Sequence, residues 1–268
     1  MSSHNSVNGE IREQLQKLKD MSFKKKVGYI WHYYKVHIII STFLIIFASA
    51  FIHTIVTRKE IVFYAALVNA QTPYIDYISY GDAFDQYVGL DTGKYRTFFD
   101  TASKIYSEYY NQDSAATTDR MAAMIYTGTI DVIVADTYAF EYYAQSNSFA
   151  NLEDILPQEI LEKYSDSLYY TDSDTFVNSN DVSDIEELPD YDTCVINHHS
   201  VEDMKKPVPV GIFLSKESNL METGCYDFLI QNEVTYQGYP SEVILGVPAT
   251  AGNLDMILKY LEFLETAL

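Results

Sequence analysis

One apolar stretch constrains this chain more than any other feature of its sequence. Residues 36–56 read VHIIISTFLIIFASAFIHTIV, and these 21 residues contain no Asp, Glu, Lys or Arg. At about 1.5 Å per residue, a helix of this length reaches about 31 Å, which matches the hydrocarbon thickness of a bilayer. A core helix of a soluble domain would show a polar face, and none interrupts this run. The sequence therefore predicts one transmembrane helix over residues 36–56.

The basic residues on either side of this helix predict its orientation. Four lysines precede it and two basic residues follow it: Lys24, Lys25, Lys26 and Lys35, then Arg58 and Lys59. Positive charge concentrates on the cytoplasmic side of membrane helices. The excess on the N-terminal side predicts a single-pass protein of the cell membrane, with a cytoplasmic N-terminus and an extracellular C-terminal domain.

A cleaved signal peptide is the alternative to an anchor. Residues 48–50, Ala-Ser-Ala, form the A-x-A pattern of a cleavage site. Two observations favour the anchor. The 35 residues before the apolar run exceed a usual signal-peptide n-region, and the apolar run continues past Ala50 to Val56.

Residues 1–35 predict a cytoplasmic, basic and amphipathic segment. Apolar and aromatic side chains recur there at helical spacing, from Phe23 to Tyr34. Aromatic rings and lysines suit the headgroup layer and anionic lipid, so membrane lipid is a predicted partner. Packing of these aromatic rings on a partner subunit is the alternative. The predicted membrane-interface residues are Lys24, Lys25, Lys26, Tyr29, Trp31, Tyr33, Tyr34 and Lys35.

Charge separates the chain into two environments. Residues 1–60 carry nine Lys/Arg and four Asp/Glu, a net charge of +5, whereas residues 61–268 carry nine Lys/Arg and 34 Asp/Glu, a net charge of −25. An acidic domain is repelled by phosphate, so the sequence excludes nucleic acid as a partner. The predicted organisation is therefore a cytoplasmic segment, a transmembrane helix and an acidic extracytoplasmic domain over residues 61–268.

The pattern of residues 61–268 predicts an α/β fold. Apolar runs of strand length occur at residues 61–70, 129–136, 208–215 and 242–247. Helical spacing predicts helices over residues 95–110, over 117–127 with Gly128 at the end, over YAFEYYAQS after Asp136, and after Asn253. Alternation of helix and apolar strand is typical of an open sheet with flanking helices. Residues 165–192 hold nine acids and no Lys or Arg, which predicts an exposed, mobile excursion.

The series TGTIDVIVADTYAFEYYAQSNSFANLEDILP, VPVGIFLS and EVILGVPATAGNLDMILKYLEFL resembles extracellular solute-binding proteins of transport systems. The N-terminal FKKKVGYIWHYYKVHIII is similar to the anchors of single-pass proteins of Gram-positive bacteria. The resemblance implies a solute-binding-like open sheet, a small polar ligand and membrane transport subunits as partners. The chain has 208 residues after residue 60, fewer than the two-lobed members of the family, so a second lobe would be reduced.

Polar residues follow two of the predicted strands. In open α/β sheets ligands bind at the carboxyl ends of the strands, and this predicts ligand contacts at Asn69, Asp136, Thr137 and Tyr138. The alternative is that Asp136 or Thr137 caps the following helix, because either side chain can accept a bond from its free N–H groups.

The two cysteines and the two adjacent histidines raise the questions of a disulfide and of a metal site. Cys194 and Cys225 form a disulfide in an extracellular domain or remain two separate buried thiols. Cys194, His198 and His199 form C-x₃-H-H, and this pattern lacks the fourth ligand of a zinc site. The sequence starting at Asp172 does not match the pattern of a calcium-binding EF-hand loop either. No metal is predicted.

The usual catalytic motifs are missing from the sequence. It contains no G-x-S-x-G, no G-x₄-G-K-[ST] and no H-E-x-x-H. We therefore predict no enzymatic activity and no cofactor. The predicted function is that of a membrane-anchored extracytoplasmic binding protein accessory to a transport complex. The alternative is a non-catalytic structural or interaction subunit with a ligand-less solute-binding-like lobe. A sensor ranks third, because residues 1–35 contain no output module.

Overall fold

In the computed structural model the chain divides into two compact units, Met1–Arg58 and Lys59–Leu268. The structure describes residues 16, 22–71, 76–105, 112–175, 197–228, 235–236 and 239–267. The two units are considered separately below.

The first unit is dominated by one helix, α1 (Phe23–Val56), which has 34 residues and no buried side chain. It is long and apolar enough to cross a membrane by length and composition. At about 1.5 Å per residue it measures about 51 Å, so it exceeds a hydrocarbon core of about 30 Å by about 20 Å. No break separates residues 23–35 from residues 36–56, so the basic segment continues the apolar helix.

The second unit is an open mixed sheet with flanking helices. Its strands are β1 (Glu60–Leu67), β2 (Tyr95–Asp100), β3 (Val132–Asp136), β4 (Leu168–Asp172), β5 (Pro207–Phe213), β6 (Thr235–Tyr236), β7 (Tyr239–Pro240) and β8 (Val243–Gly246). Six of them form one sheet in the order β2-β1-β3-β8-β5-β4, and β6 pairs with β7. Strands β2, β1 and β3 are parallel, and the remaining pairs of the large sheet are antiparallel.

Seven α-helices accompany the sheet among the described residues. They are α2 (Tyr77–Tyr87), α3 (Gln112–Tyr126), α4 (Thr137–Gln145), α5 (Leu152–Ile155), α6 (Gln158–Lys163), α7 (Asn219–Glu222) and α8 (Leu254–Phe263). The predicted strands at 61–70, 129–136, 208–215 and 242–247 correspond to β1, β3, β5 and β8. The predicted α/β class with an open sheet is therefore confirmed.

Each face of the sheet buries its own apolar cluster. On one face, Phe63 of β1 packs with Phe84 of α2 and Tyr260 of α8. On the other face, the neighbouring Tyr64 belongs to a cluster that includes Phe140 of α4. Successive residues of a strand point to opposite faces, so a strand covered on both sides reads as a continuous apolar run. This explains why the central strands were recognisable from sequence.

The centre of the sheet requires glycine. Gly211 of β5 and Gly246 of β8 are paired, and the Phe140 ring lies against both. A Cβ atom at Gly211 would lie 2.6 Å from that ring, and one at Gly246 would lie 2.7 Å from it. Helix α4 therefore approaches the sheet where two strands lack side chains.

The predicted helix over residues 95–110 was wrong in its first part. Tyr95–Asp100 form β2, residues 101–105 are not helical, and residues 106–111 lie outside the described residues. Phe99 packs on one sheet face and Phe98 against Tyr64 on the other. Burial on both faces placed apolar residues next to each other, and that spacing also fits a helix.

The predicted excursion over residues 165–192 was wrong at its start. Leu168–Asp172 form β4 at one end of the sheet, and Tyr169 is fully buried. The Asp172 carboxylate accepts the backbone N–H groups of Lys205 and Lys206 at 2.8 and 3.1 Å. Asp172, which we predicted to lie in an exposed segment, therefore accepts hydrogen bonds from the backbone. Residues 176–196 lie outside the described residues.

Candidate functional site

The parallel strands β1 and β3 bring Asn69 and Asp136 together. The two strands are in register, with Leu67 beside Val134, so their carboxyl ends meet at the same edge of the sheet. The Asn69 Nδ2 donates a hydrogen bond to Asp136 Oδ2 at 2.5 Å. The two residues that we predicted as ligand contacts are therefore direct neighbours.

Asp136 is the N-cap of helix α4. Its Oδ1 accepts the backbone N–H of Ala139 at 3.2 Å, so the side chain satisfies one of the free donors at the helix start. Asp136 is buried, and burial raises the pKa of its carboxyl against the opposing hydrogen bond from Asn69. The capping role, which we gave as the alternative for this residue, is present.

Asn69 is held by the chain segment that follows β2. Its backbone has a φ of 63°, a left-handed conformation that asparagine tolerates. The Oδ1 accepts the backbone N–H of Ile105 and the Nδ2 donates to the Ile105 carbonyl, both at 2.7 Å. The backbone N–H of Asn69 bonds to the Ser103 carbonyl at 2.9 Å. Residues 101–105, which we call the closing segment, are thus tied to the end of β1.

A second polar cluster, missed by sequence analysis, holds the same segment from the end of β2. Asp100 accepts hydrogen bonds from the Tyr64 hydroxyl and the Ser103 hydroxyl, both at 3.1 Å, and pairs with Arg120 at 3.0 Å. Arg120 also donates to the Ser103 hydroxyl at 2.7 Å. Burial, and then the Asp100 charge, raise the pKa of Tyr64 well above its usual range, so its hydroxyl stays a donor. The signal was an acid directly after an apolar strand, as at Asp136.

Together these contacts close the edge of the sheet where α/β proteins hold ligands. Lys104, also in the closing segment, donates from Nζ to the Ala70 carbonyl. Within the part of the chain that the structure describes, the side chains of Asn69 and Asp136 are bonded to the protein itself. The arrangement binds the closing segment, with Asp136 buried and Asn69 partly buried.

Thr137 bonds to a different part of the chain, and Tyr138 lies beside Asp136. The Thr137 hydroxyl accepts the backbone N–H of Glu242 at 3.0 Å and lies 3.3 Å from the Glu242 carbonyl, to which it donates. Thr137 thereby ties the start of α4 to the residue before β8. Tyr138 is half-buried, and desolvation followed by the nearby Asp136 charge raises its pKa. Of the four predicted contacts, Asn69 and Asp136 bond to each other through their side chains.

A separate cleft of about 990 Å³ lies along α2 and β2. Its charged groups come from Lys59, Asp82, Asp85 and Arg96. Asn69 and Asp136 are not among its lining residues. Asp85 already accepts the backbone N–H and the hydroxyl of Thr97, at 3.1 and 2.7 Å. This acid therefore fastens α2 to β2.

The histidine pair takes part in acid contacts instead of a metal site. His198 Nε2 lies 3.1 Å from Glu141 Oε2, and His199 Nε2 lies 2.7 Å from Glu242 Oε2. Among the described residues no group of three or more His, Cys, Asp or Glu could hold a metal ion. Cys194 lies outside the described residues, so the choice between a disulfide with Cys225 and two separate thiols stays open. Cys225 is buried, and desolvation raises the pKa of its thiol to about 11.

The predicted membrane-interface residues lie on α1. Trp31, Tyr33 and Tyr34 are exposed, as are Lys24 and Lys25. The rings of Tyr29 and Tyr33 lie 4.6 Å apart. These side chains face away from any core, as contacts with lipid or with a partner helix require.

No protein-family model, curated protein or solved structure matches this chain.

Proposed function

We propose that this chain is a single-pass membrane protein whose acidic α/β domain lies outside the cell and serves as a non-catalytic interaction subunit. The length and hydropathy of α1 support the anchor. The lysines before residue 36 support a cytoplasmic N-terminus. The charge of −25 over residues 61–268 supports a solvated domain that repels nucleic acid.

One observation favours an interaction role over a solute-binding role. The polar side chains at the carboxyl ends of β1 and β3 are occupied by the closing segment, with Asn69 bonded to Ile105 in both directions. A solute at this edge would have to displace at least those two bonds and leave the backbone N–H and carbonyl of the buried Ile105 without partners. Each such group costs about 1–3 kcal/mol. The geometry therefore favours a lobe that keeps the sheet without an open ligand site.

The topology is tested by labelling single introduced cysteines in intact cells. Glu202, exposed in the second unit, is changed to cysteine in one variant, and Lys24, exposed on α1, in another. A membrane-impermeant maleimide should label Glu202→Cys in intact cells and Lys24→Cys only after lysis. The parent chain measures the background from Cys194 and Cys225. The reverse pattern would contradict the proposed orientation.

Solute binding as an accessory to transport is the second candidate. Its support is the convergence of Asn69 and Asp136 at the edge where ligands bind in open α/β sheets. A ligand at 100 times its Kd adds about 2.7 kcal/mol to the free energy of unfolding. We expect no rise in Tm when the full chain in detergent is heated with sugars, amino acids or short peptides.

The contrary result would be a rise in Tm with one class of solute that Asp136→Asn abolishes while the folded spectrum is kept. That outcome would replace the interaction role with solute binding at Asp136. Asp82→Asn is the matched control, because Asp82 is an exposed acid in the separate cleft beside α2. Loss of the shift in this variant would move the solute to that cleft.

A further inference from the structure

Strand β2 lies at one end of the large sheet, so one of its edges has no neighbouring strand in that sheet. The Glu60 N–H bonds to the Lys94 carbonyl at 2.9 Å, which places the backbone groups of Lys94 on the side of β1. Successive residues of a strand direct their backbone groups to alternate edges. The backbone groups of Tyr95, Thr97 and Phe99 therefore face the free edge of β2.

The backbone groups at this free edge are satisfied only in part. The Tyr95 N–H bonds to the Asp91 carbonyl at 3.0 Å, and the Thr97 N–H bonds to the Asp85 carboxylate at 3.1 Å. The Thr97 carbonyl and both backbone groups of Phe99 make no hydrogen bond across this edge to any residue that the structure describes. Two acceptors and one donor are thus available in the spacing that a further strand uses.

The free edge opens into the cleft of about 990 Å³ beside α2. Thr97, Phe98 and Phe99 line the cleft on the side of the strand. The residues that line it on α2 and just after this helix recur at the spacing of one helical face, and two of them are glycines: Gly81, Asp82, Asp85, Gln86 and Gly89. A groove between an edge strand and a helix has the shape that accepts an extended peptide as an additional strand.

The two faces of β2 at this cleft differ in chemistry. The Phe99 ring packs on Tyr80, with centroids 5.0 Å apart, so α2 covers that face. On the opposite face, the Arg96 guanidinium lies 5.3 Å from the centre of the Phe98 ring. Arg96 is exposed, and no carboxylate among the described residues pairs with it. Lys59, exposed as well, also lines the cleft. The face opposite α2 therefore suits negatively charged side chains.

We propose that this cleft binds an extended acidic segment of a partner protein as an additional strand beside β2. This inference rests on the interaction role proposed above and names the surface for it. The segment donates to the Thr97 carbonyl and exchanges hydrogen bonds with the backbone of Phe99. Side chains of a strand alternate between its faces, so carboxylates at every second position face Arg96. The intervening side chains are apolar and face α2, where Ile78 lines the cleft.

Fluorescence anisotropy with the full chain in nanodiscs tests this proposal. The probe is a labelled peptide of about seven residues in which valine alternates with glutamate, close to the six residues of β2. Binding is measured at about 0.15 M salt, where the screening length of about 8 Å limits repulsion by distant acids of the domain. We expect saturable binding. No saturation up to about 1 mM peptide would overturn the proposal.

Two methylated peptides test the backbone pairing. One carries N-methyl groups on its valines, and the other carries them on its glutamates. Alternate N–H groups of a strand face opposite edges, so only one of the two sets meets β2. That peptide should bind about tenfold or more weakly than the parent, because its hydrogen bonds are lost, and the other should bind as the parent does. Equal affinity of the two methylated peptides would contradict pairing with the edge of β2.

Charge variants test the assignment to Arg96. Arg96→Glu replaces an attraction between exposed charges by a repulsion, so the affinity for the glutamate peptide should fall about tenfold. Lys216→Glu is the matched control, because it makes the same change of charge at an exposed residue after β5 that does not line the cleft. The control should change the affinity less than about twofold. Equal weakening in both variants would show an effect of net charge and refute this site.

Hydrogen exchange locates the bound peptide. A saturating amount of the glutamate peptide should slow exchange at the Phe99 amide about tenfold or more and leave the β3 amides unchanged. Protection of Phe99 without peptide that rises with protein concentration would instead show a second copy of the chain at this edge. Displacement of the peptide by an equal concentration of N-acetylglutamate amide would show a site for small anions. Either result, or no peptide binding, would refute this surface alone, because the labelling and thermal experiments above test the interaction role separately.

Discussion

Removing the Asn69 side chain should release the closing segment and destabilise the α/β domain. We consider Asn69→Gly, because glycine adopts the left-handed backbone at this position without strain. The change therefore removes side-chain contacts and leaves the backbone conformation accessible. Alanine would add a strain of about 1–2 kcal/mol at the same φ and confuse the two effects.

The expected loss follows from the bonds that disappear. Asn69 makes two bonds to the backbone of Ile105, at 2.7 Å each, and a third to Asp136 at 2.5 Å. A net contribution of about 0.5–1.5 kcal/mol per bond gives about 3 kcal/mol in total. The greater chain entropy of glycine adds about 0.5–1 kcal/mol. We therefore expect the free energy of unfolding to fall by about 3–4 kcal/mol.

Urea unfolding of the full chain, followed by near-ultraviolet circular dichroism, measures this loss. The only tryptophan, Trp31, lies on α1, so the tyrosine signal reports mainly on the α/β domain. Asn147→Gly is the matched control, because Asn147 has a φ of 52° and is exposed. The control should change stability by less than about 1 kcal/mol. A loss at Asn69→Gly no larger than in the control would refute the argument that this side chain holds the closing segment.

Three further predictions concern packing and pH. Gly246→Ala should lower the free energy of unfolding by about 1–3 kcal/mol or more, because its Cβ would lie 2.7 Å from aromatic ring atoms. Gly252→Ala, whose Cβ would have no atom within 4 Å, should not lower it. The same urea assay compares the two variants. Burial raises the pKa of Asp131, so its stabilisation is present below the ordinary carboxyl pKa of about 4 and lost as pH rises through the raised value. The stability of wild type relative to Asp131→Asn should therefore fall as pH increases from 4, and a difference that is independent of pH would contradict this. Hydrogen bonds, first that of the Ser79 hydroxyl, lower the pKa of Asp76. The stability of wild type relative to Asp76→Asn should therefore show the opposite pH trend, and this stabilisation should be lost as pH falls below about 4.

The central strands could be predicted because both faces of the sheet are covered. β1 and β3 read as continuous apolar runs, and the acid at the end of β3 signalled a helix cap, which Asp136 provides. The same burial led us to predict a helix over residues 95–100, because Phe98 and Phe99, which are neighbours in sequence, pack on opposite faces of the strand. A short strand at the end of a sheet contains too few residues to distinguish the two-residue period of a strand from the 3.6-residue period of a helix.

The candidate site could be predicted only in part. Parallel strands place Asn69 and Asp136 at one edge, and that convergence was expected. The bonds that close this edge join Asn69 to Ile105, 36 residues away, with helix α2 and strand β2 between them. Likewise, Glu141 and His198 meet across several elements, and no local pattern connects them. Such pairings depend on strand order, which local patterns do not encode.

The closing segment gives the most direct test of the account. Hydrogen exchange in the full chain reports on the Asn69 and Ile105 amides, which bond to the Ser103 carbonyl and to the Asn69 side chain. We predict that both amides are protected to within about tenfold of the β3 amides, and that the solutes of the thermal panel leave this protection unchanged. Exchange at the rate of a free peptide, or exchange that slows when a solute is added, would contradict the claim that the chain itself occupies this edge of the sheet.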